Sequence, residues 1–121
     1  MGQRVLVIED DRDVLQATSL LLELEGFVVH TAEDGAAGLE IALTLVPELV
    51  ILDLNLPKID GPTVLRHLRA QPDTAQLPVV VVSAALEDHL PKMDPSHFQF
   101  ALRKPCDTHE LVRAVRAALG E

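Results

Sequence analysis

The sequence predicts an α/β fold: a doubly wound, five-stranded parallel sheet in strand order 2-1-3-4-5 with helices on both faces. Two observations carry this reading. Short apolar runs alternate with segments whose apolar residues recur at helical spacing, the pattern of successive βα units. Acidic, hydroxyl or basic residues stand at the ends of four runs, where open α/β sheets bind ligands.

Residues 5–8 form the predicted first strand. A helix follows over 13–24, with Val14, Leu15, Thr18, Leu21, Leu22 and Glu25 sampling its i, i+3, i+4 positions and Gly26 ending it. Residues 27–31 are a shorter second strand, and 35–45 a second helix closed by Pro47. The third strand spans 49–53, and Gly61-Pro62 opens a helix to Ala70, with Pro62 suited to a first turn. The fourth strand, 78–82, is continuous in Val and so reads as buried on both faces. Glu87 to His97 should supply a fourth helix, but Pro91 and Pro95 interrupt it, and an interior proline costs about 3 kcal/mol. An irregular fourth helix is therefore expected. The fifth strand covers 98–102, and Asp107-Thr108 caps a last helix to Leu119.

At 121 residues the chain reads as one domain, 1–121, with no output domain, able to bury roughly two-thirds of its unfolded surface. No apolar run approaches the ~20 residues of a membrane span, and Met1-Gly2-Gln3-Arg4 leads straight into a strand, unlike a signal peptide. A soluble, cytoplasmic protein is expected. Cys106 is the single cysteine, which excludes an internal disulfide; it reads as a small packing residue. The net charge of −9 argues against direct contact with nucleic acid. The only aromatics are Phe27, Phe98 and Phe100, so there is no base-stacking platform or cation cage. His30, His67, His89, His97 and His109 lack ligand spacing and read as surface residues.

The chemistry lies in four pieces: Val7-Ile8-Glu9-Asp10-Asp11, Asp53-Leu54-Asn55-Leu56-Pro57 with Asp60-Gly61, Val82-Ser83-Ala84, and Lys104-Pro105. In the predicted order, strands 1, 3, 4 and 5 are neighbours, so Asp10, Asp53, Ser83 and Lys104 line one crevice. Two carboxylates about 4 Å apart repel by roughly 4 kcal/mol at an effective dielectric of 20, and a cation or phosphoryl group is the usual compensation. Asp11 and Asp13 read instead as acids at the positive end of the first helix.

Together the four pieces resemble the receiver domain of the bacterial two-component response regulators, over nearly all of residues 4–119. The resemblance implies a flavodoxin-like sandwich and a phosphoacceptor switch that catalyses only its own phosphorylation and dephosphorylation. It implies Asp53 as the nucleophile that becomes an acyl phosphate, Asp10 as a direct Mg²⁺ ligand, Glu9 as an acid acting through water, and the Asn55 main-chain carbonyl as a further ligand. Mg²⁺ favours such a set of few carboxylates plus waters and phosphate oxygens. It further implies Lys104 holding a phosphate oxygen, Ser83 bonding the phosphoryl group on activation, Ala84 leaving that group room, and a cis Lys104–Pro105 bond. Implied partners are a histidine kinase or histidine phosphotransfer protein and a downstream effector; a homodimer is left open, as is membership of a hybrid kinase.

Two features depart from the family. Ala101 stands where receivers usually carry an aromatic, and period two places Phe100, with Phe98, on the opposite face. Pro91 and Pro95 disturb the segment on which receivers build part of their output surface. Phosphorylation is therefore expected to act mainly by ordering or shifting residues 84–97. An unphosphorylated pseudo-receiver is the alternative, against which the intact Asp10, Asp53, Ser83 and Lys104 speak. A metal-dependent phosphohydrolase would need a second acid two residues past the nucleophile, where Asn55 stands. Kinase docking is expected at Val14, Leu15 and Thr18 of the first helix and at Pro105 and Cys106, some of which should prove to be core.

Overall fold

The computed structural model describes residues 2–121. Five parallel strands, β1 (Arg4–Ile8), β2 (Val28–Ala32), β3 (Leu49–Asp53), β4 (Val79–Ser83) and β5 (Phe100–Arg103), form one sheet in the order β2-β1-β3-β4-β5. The helices are α1 (Arg12–Leu24), α2 (Gly35–Leu45), α3 (Gly61–Ala70), α4 (Leu86–His89) and α5 (Thr108–Ala118). The predicted topology is present, and element boundaries move by one or two residues. Phe27 falls outside β2 because its N–H closes onto the Leu22 carbonyl at the end of α1.

Alternate strand residues face opposite layers, and each layer is apolar. Leu6, Ile8, Val50, Leu52, Val79 and Val81 pack with Val64, Leu65 and Leu68 of α3. Val5, Val7, Leu49, Ile51, Val80 and Val82 pack with Leu15 and Leu22 of α1 and Leu111 and Val115 of α5. Burying each such side chain contributes roughly 1.5–3 kcal/mol, so the centre of the sheet is the rigid part of the molecule. The four longer helices share a start signal: Asp11, Asp34, Asp60 and Asp107 accept N–H bonds of their first turns. Such caps are each worth about 1 kcal/mol.

The fourth helix is indeed broken. α4 is a single turn, followed by 3₁₀ turns at Leu90–Lys92 and Pro95–His97. Pro91 and Pro95 each lie at the start of a turn, where a missing N–H costs nothing. The second turn displaces the start of β5 from 98 to Phe100 and corrects the placement of Phe98. Phe98 packs with Met93 and Ala101 against the α3-side core, so it does not share a face with Phe100, which is exposed. The segment is tied to α3 by Arg69, whose Nε donates to the His97 carbonyl at 2.9 Å and whose Nη1 donates to that of Thr74 at 2.9 Å.

Candidate metal and phosphoacceptor site

The crevice forms where four adjacent strands end. Glu9 and Asp10 follow β1, Asp53 ends β3, Ser83 ends β4 and Lys104 follows β5. One ligand oxygen from each of Glu9, Asp10 and Asp53 lies within 4.8 Å of the others. Glu9 and Asp53 are each only 3% exposed, whereas Asp10 is open to solvent. Two acids thus sit at the bottom of the crevice and one at its mouth.

Lys104 bridges the two buried carboxylates. Its Nζ donates to Asp53 Oδ2 at 3.0 Å and to Glu9 Oε1. The other oxygens are held by backbone: the Asn55 N–H donates to Asp53 Oδ1 at 3.0 Å, and the Asp11 N–H to Glu9 Oε2 at 3.1 Å. Asp11 also caps α1, as expected of an acid serving that helix. The loop carrying Asn55 folds back tightly, with the Gly61 N–H bonding the Leu54 carbonyl at 3.1 Å. A Cβ on Gly61 would stand 2.4 Å from Leu54 Cα and 2.7 Å from the Asp53 carbonyl oxygen, so only glycine permits this approach.

Burial raises the Glu9 carboxyl to about 7, against the opposing pull of Lys104 and with the help of the neighbouring Asp53. Burial alone would lower the Lys104 amine, but its bonds to Glu9 and Asp53 outweigh that and hold it above its ordinary value. The balance of three carboxylates against one ammonium leaves the crevice short of positive charge. A hard divalent cation with oxygen ligands fits this donor set.

Ser83 is fully buried, and its Oγ accepts the Ala85 N–H at 3.0 Å. It also lies 3.0 Å from His89 Nδ1. The sequence pattern places His89 among five surface histidines, but the structure turns its ring onto the buried Ser83 hydroxyl. The pairing spans six residues across an irregular turn, a spacing no helical or strand period would single out. Lys104 and Pro105 are joined by a cis bond, as the resemblance implied. Ala84, after Ser83, is exposed beside the crevice.

A largely apolar groove of about 470 Å³ runs from the crevice between α1 and the β5–α5 loop, lined by Val14, Thr18, Leu21, Pro105, Cys106 and Leu111. Four of the five expected docking residues border it. Leu15 does not: it points into the sheet-facing core and is 7% exposed. Cys106 is half-buried against that core, and burial pushes its thiol up, away from the reactive thiolate.

Comparison with known proteins agrees with this geometry. The model of the response regulator receiver domain matches residues 5–116. The DNA-binding dual master transcriptional regulator RpaA of Synechocystis is 39% identical over 118 residues, which cover 96% of this chain and 48% of that protein. The transcriptional regulatory protein PrrA of Mycobacterium tuberculosis is 37% identical over 116 residues, 96% of this chain and 49% of that one. The chain therefore spans about half the length of these relatives. Among solved structures, a response regulator receiver domain protein from Clostridium thermocellum superposes with a TM-score of 0.89 at 28% identity, covering 98% of this chain and 94% of the other. A sensor protein from Polaromonas sp. JS666 gives 0.90 at 31%, covering 98% and 96%. On the match across residues 5–116 and on these relatives, the chain belongs to the response regulator receiver domain family.

Proposed function

We propose that this receiver accepts a phosphoryl group on Asp53 from a phosphohistidine of a kinase or phosphotransfer protein, and passes the change to an effector through the segment after β4. The observation that carries the reading is Asp53 itself: a buried carboxylate held at one oxygen by Lys104 and at the other by the Asn55 N–H, beside two further acids. In the transfer, a carboxylate oxygen of Asp53 bonds to phosphorus. The donor's P–N bond breaks, and its electron pair stays on the donor imidazole. Lys104 is the ammonium nearest the new acyl phosphate and is positioned to follow a phosphoryl oxygen. Asn55 keeps the carboxyl plane fixed throughout.

Glu9, Asp10, Asp53 and the Asn55 carbonyl are the groups that would hold Mg²⁺. When bound, that ion neutralises charge as the phosphoryl group approaches the acids. The apolar groove beside Lys104 is the docking surface for the donor, with Val14 and Pro105 at its exposed rim. Among the described residues, no helix is long and apolar enough to cross a membrane. The test is intact-mass measurement after incubation with acetyl phosphate. A single phosphoryl adduct that requires Mg²⁺ and is lost with EDTA supports the reading; an adduct indifferent to chelation, or none, refutes it.

A further inference from the structure

The geometry points to His89 as the positioning residue that holds the Ser83 hydroxyl in the resting state and releases it on phosphorylation. The inference rests on Asp53 being the phosphoacceptor. A serine hydroxyl offers one hydrogen and two lone pairs. In Ser83 the Ala85 N–H occupies one lone pair, and the remaining protein partner is His89 Nδ1 at 3.0 Å. With the imidazole proton on Nε2, Nδ1 is the acceptor and takes the only hydrogen Ser83 has. A phosphoryl oxygen on Asp53 is likewise only an acceptor and needs the same hydrogen. The two partners exclude each other, so phosphorylation breaks the Ser83–His89 bond, and an intact bond opposes the phosphorylated arrangement.

The placement of His89 turns that exchange into a signal. It is the last residue of α4, and the broken segment begins at Leu90. The far end of the segment is fixed by Arg69 on the His97 carbonyl and by the Gln99 N–H on the Val79 carbonyl at 2.9 Å. Between these ends, Met93 and Phe98 are its apolar contacts with the core. Leu86 in the core and the Glu87–Arg103 ion pair keep the start of α4 in place, so release of His89 loosens the segment from Leu90 onward while the far end stays pinned. This supplies what Ala101 cannot: a side chain that responds directly to movement of the hydroxyl.

Two measurements test this. In the resting protein, ring ¹⁵N NMR should show His89 Nδ1 as an unprotonated, hydrogen-bonded nitrogen whose resonance moves on Ser83→Ala. Beryllofluoride with Mg²⁺ is then titrated into wild type, His89→Leu and His89→Asn, each also in a Ser83→Ala background. Losing one hydrogen bond that opposes the activated state should tighten His89→Leu binding about five-fold. His89→Asn, whose side-chain oxygen can accept near the place of Nδ1, should bind like wild type. The Leu effect should vanish in the Ser83→Ala background. An Nδ1 that carries the proton, a Leu effect that persists without the hydroxyl, or Leu and Asn variants that behave alike would each overturn the inference. If His89→Leu folds poorly, the ring resonance and the His89→Asn titration still decide it. Wild type that binds no beryllofluoride overturns the phosphoacceptor reading and this inference with it. Normal wild-type binding matched by His89→Leu overturns this inference alone.

Discussion

Replacing Asp53 by asparagine should make the metal-free protein more stable, although it removes the proposed phosphoacceptor. The ligand oxygens of Glu9, Asp10 and Asp53 lie within 4.8 Å of one another, so each carboxylate pair repels by at least about 3.5 kcal/mol at an effective dielectric of 20. At about pH 8, where the Glu9 carboxyl, raised to about 7, is ionised, Asp53→Asn relieves two such repulsions. It also loses the attraction of Lys104 at 3.0 Å, about 5.5 kcal/mol on the same scale. Lys104 keeps Glu9 as partner, and a buried carboxylate no longer has to be desolvated. The balance favours the variant by about 1–2 kcal/mol in EDTA. Mg²⁺ at about a hundred times its Kd should stabilise wild type by about 2.7 kcal/mol and the variant, short of one ligand, by less. Urea denaturation in EDTA and in Mg²⁺ reads both effects. A variant less stable than wild type in EDTA would refute the claim that the crevice is short of positive charge.

Other substitutions probe what positions the site. Gly61→Ala places a methyl against the Leu54 and Asp53 backbones, neither of which can retreat, and should cost about 1–3 kcal/mol while slowing reaction with acetyl phosphate; an unchanged rate would show that the tight loop is not needed. Asp60 caps α3, and bonds from Thr63 hold its carboxyl below the usual range, so its contribution is present above the unfolded pKa and fades as pH falls through the folded one. Asp60→Ala should cost about 1 kcal/mol at pH 7, with the gap to wild type narrowing below about pH 4 in denaturant titrations. Val14→Glu, at the exposed rim of the groove, should slow phosphotransfer from a kinase but spare acetyl phosphate, and equal loss with both donors would place the defect in the fold.

The strand order and the acid, hydroxyl and lysine positions were legible in the sequence because they depend on a two-valued property: which residues end an apolar run. Asp53, Ser83 and Lys104 occupy the places that such an ending predicts. Leu15 and Val14 were harder to separate. Neighbours on a helix differ by about 100° in direction, and only the packed sheet decides which is core. Phe98 was misplaced because period two applies only inside a strand, and β5 begins two residues later than the apolar run. His89 was not legible as a partner of Ser83, since an irregular segment has no period from which a side chain's direction can be read.

Of the three acids in the crevice, Asp53 is the one proposed to form the bond to phosphorus. Reducing the phosphorylated protein with borohydride converts an aspartyl phosphate to homoserine, and tandem mass spectrometry of the peptide carrying β3 then locates it. Homoserine is expected at position 53, only in samples treated with acetyl phosphate and Mg²⁺, and not in Asp53→Asn. Homoserine at Asp10, reduction at Glu9, or an adduct that survives Asp53→Asn would contradict it.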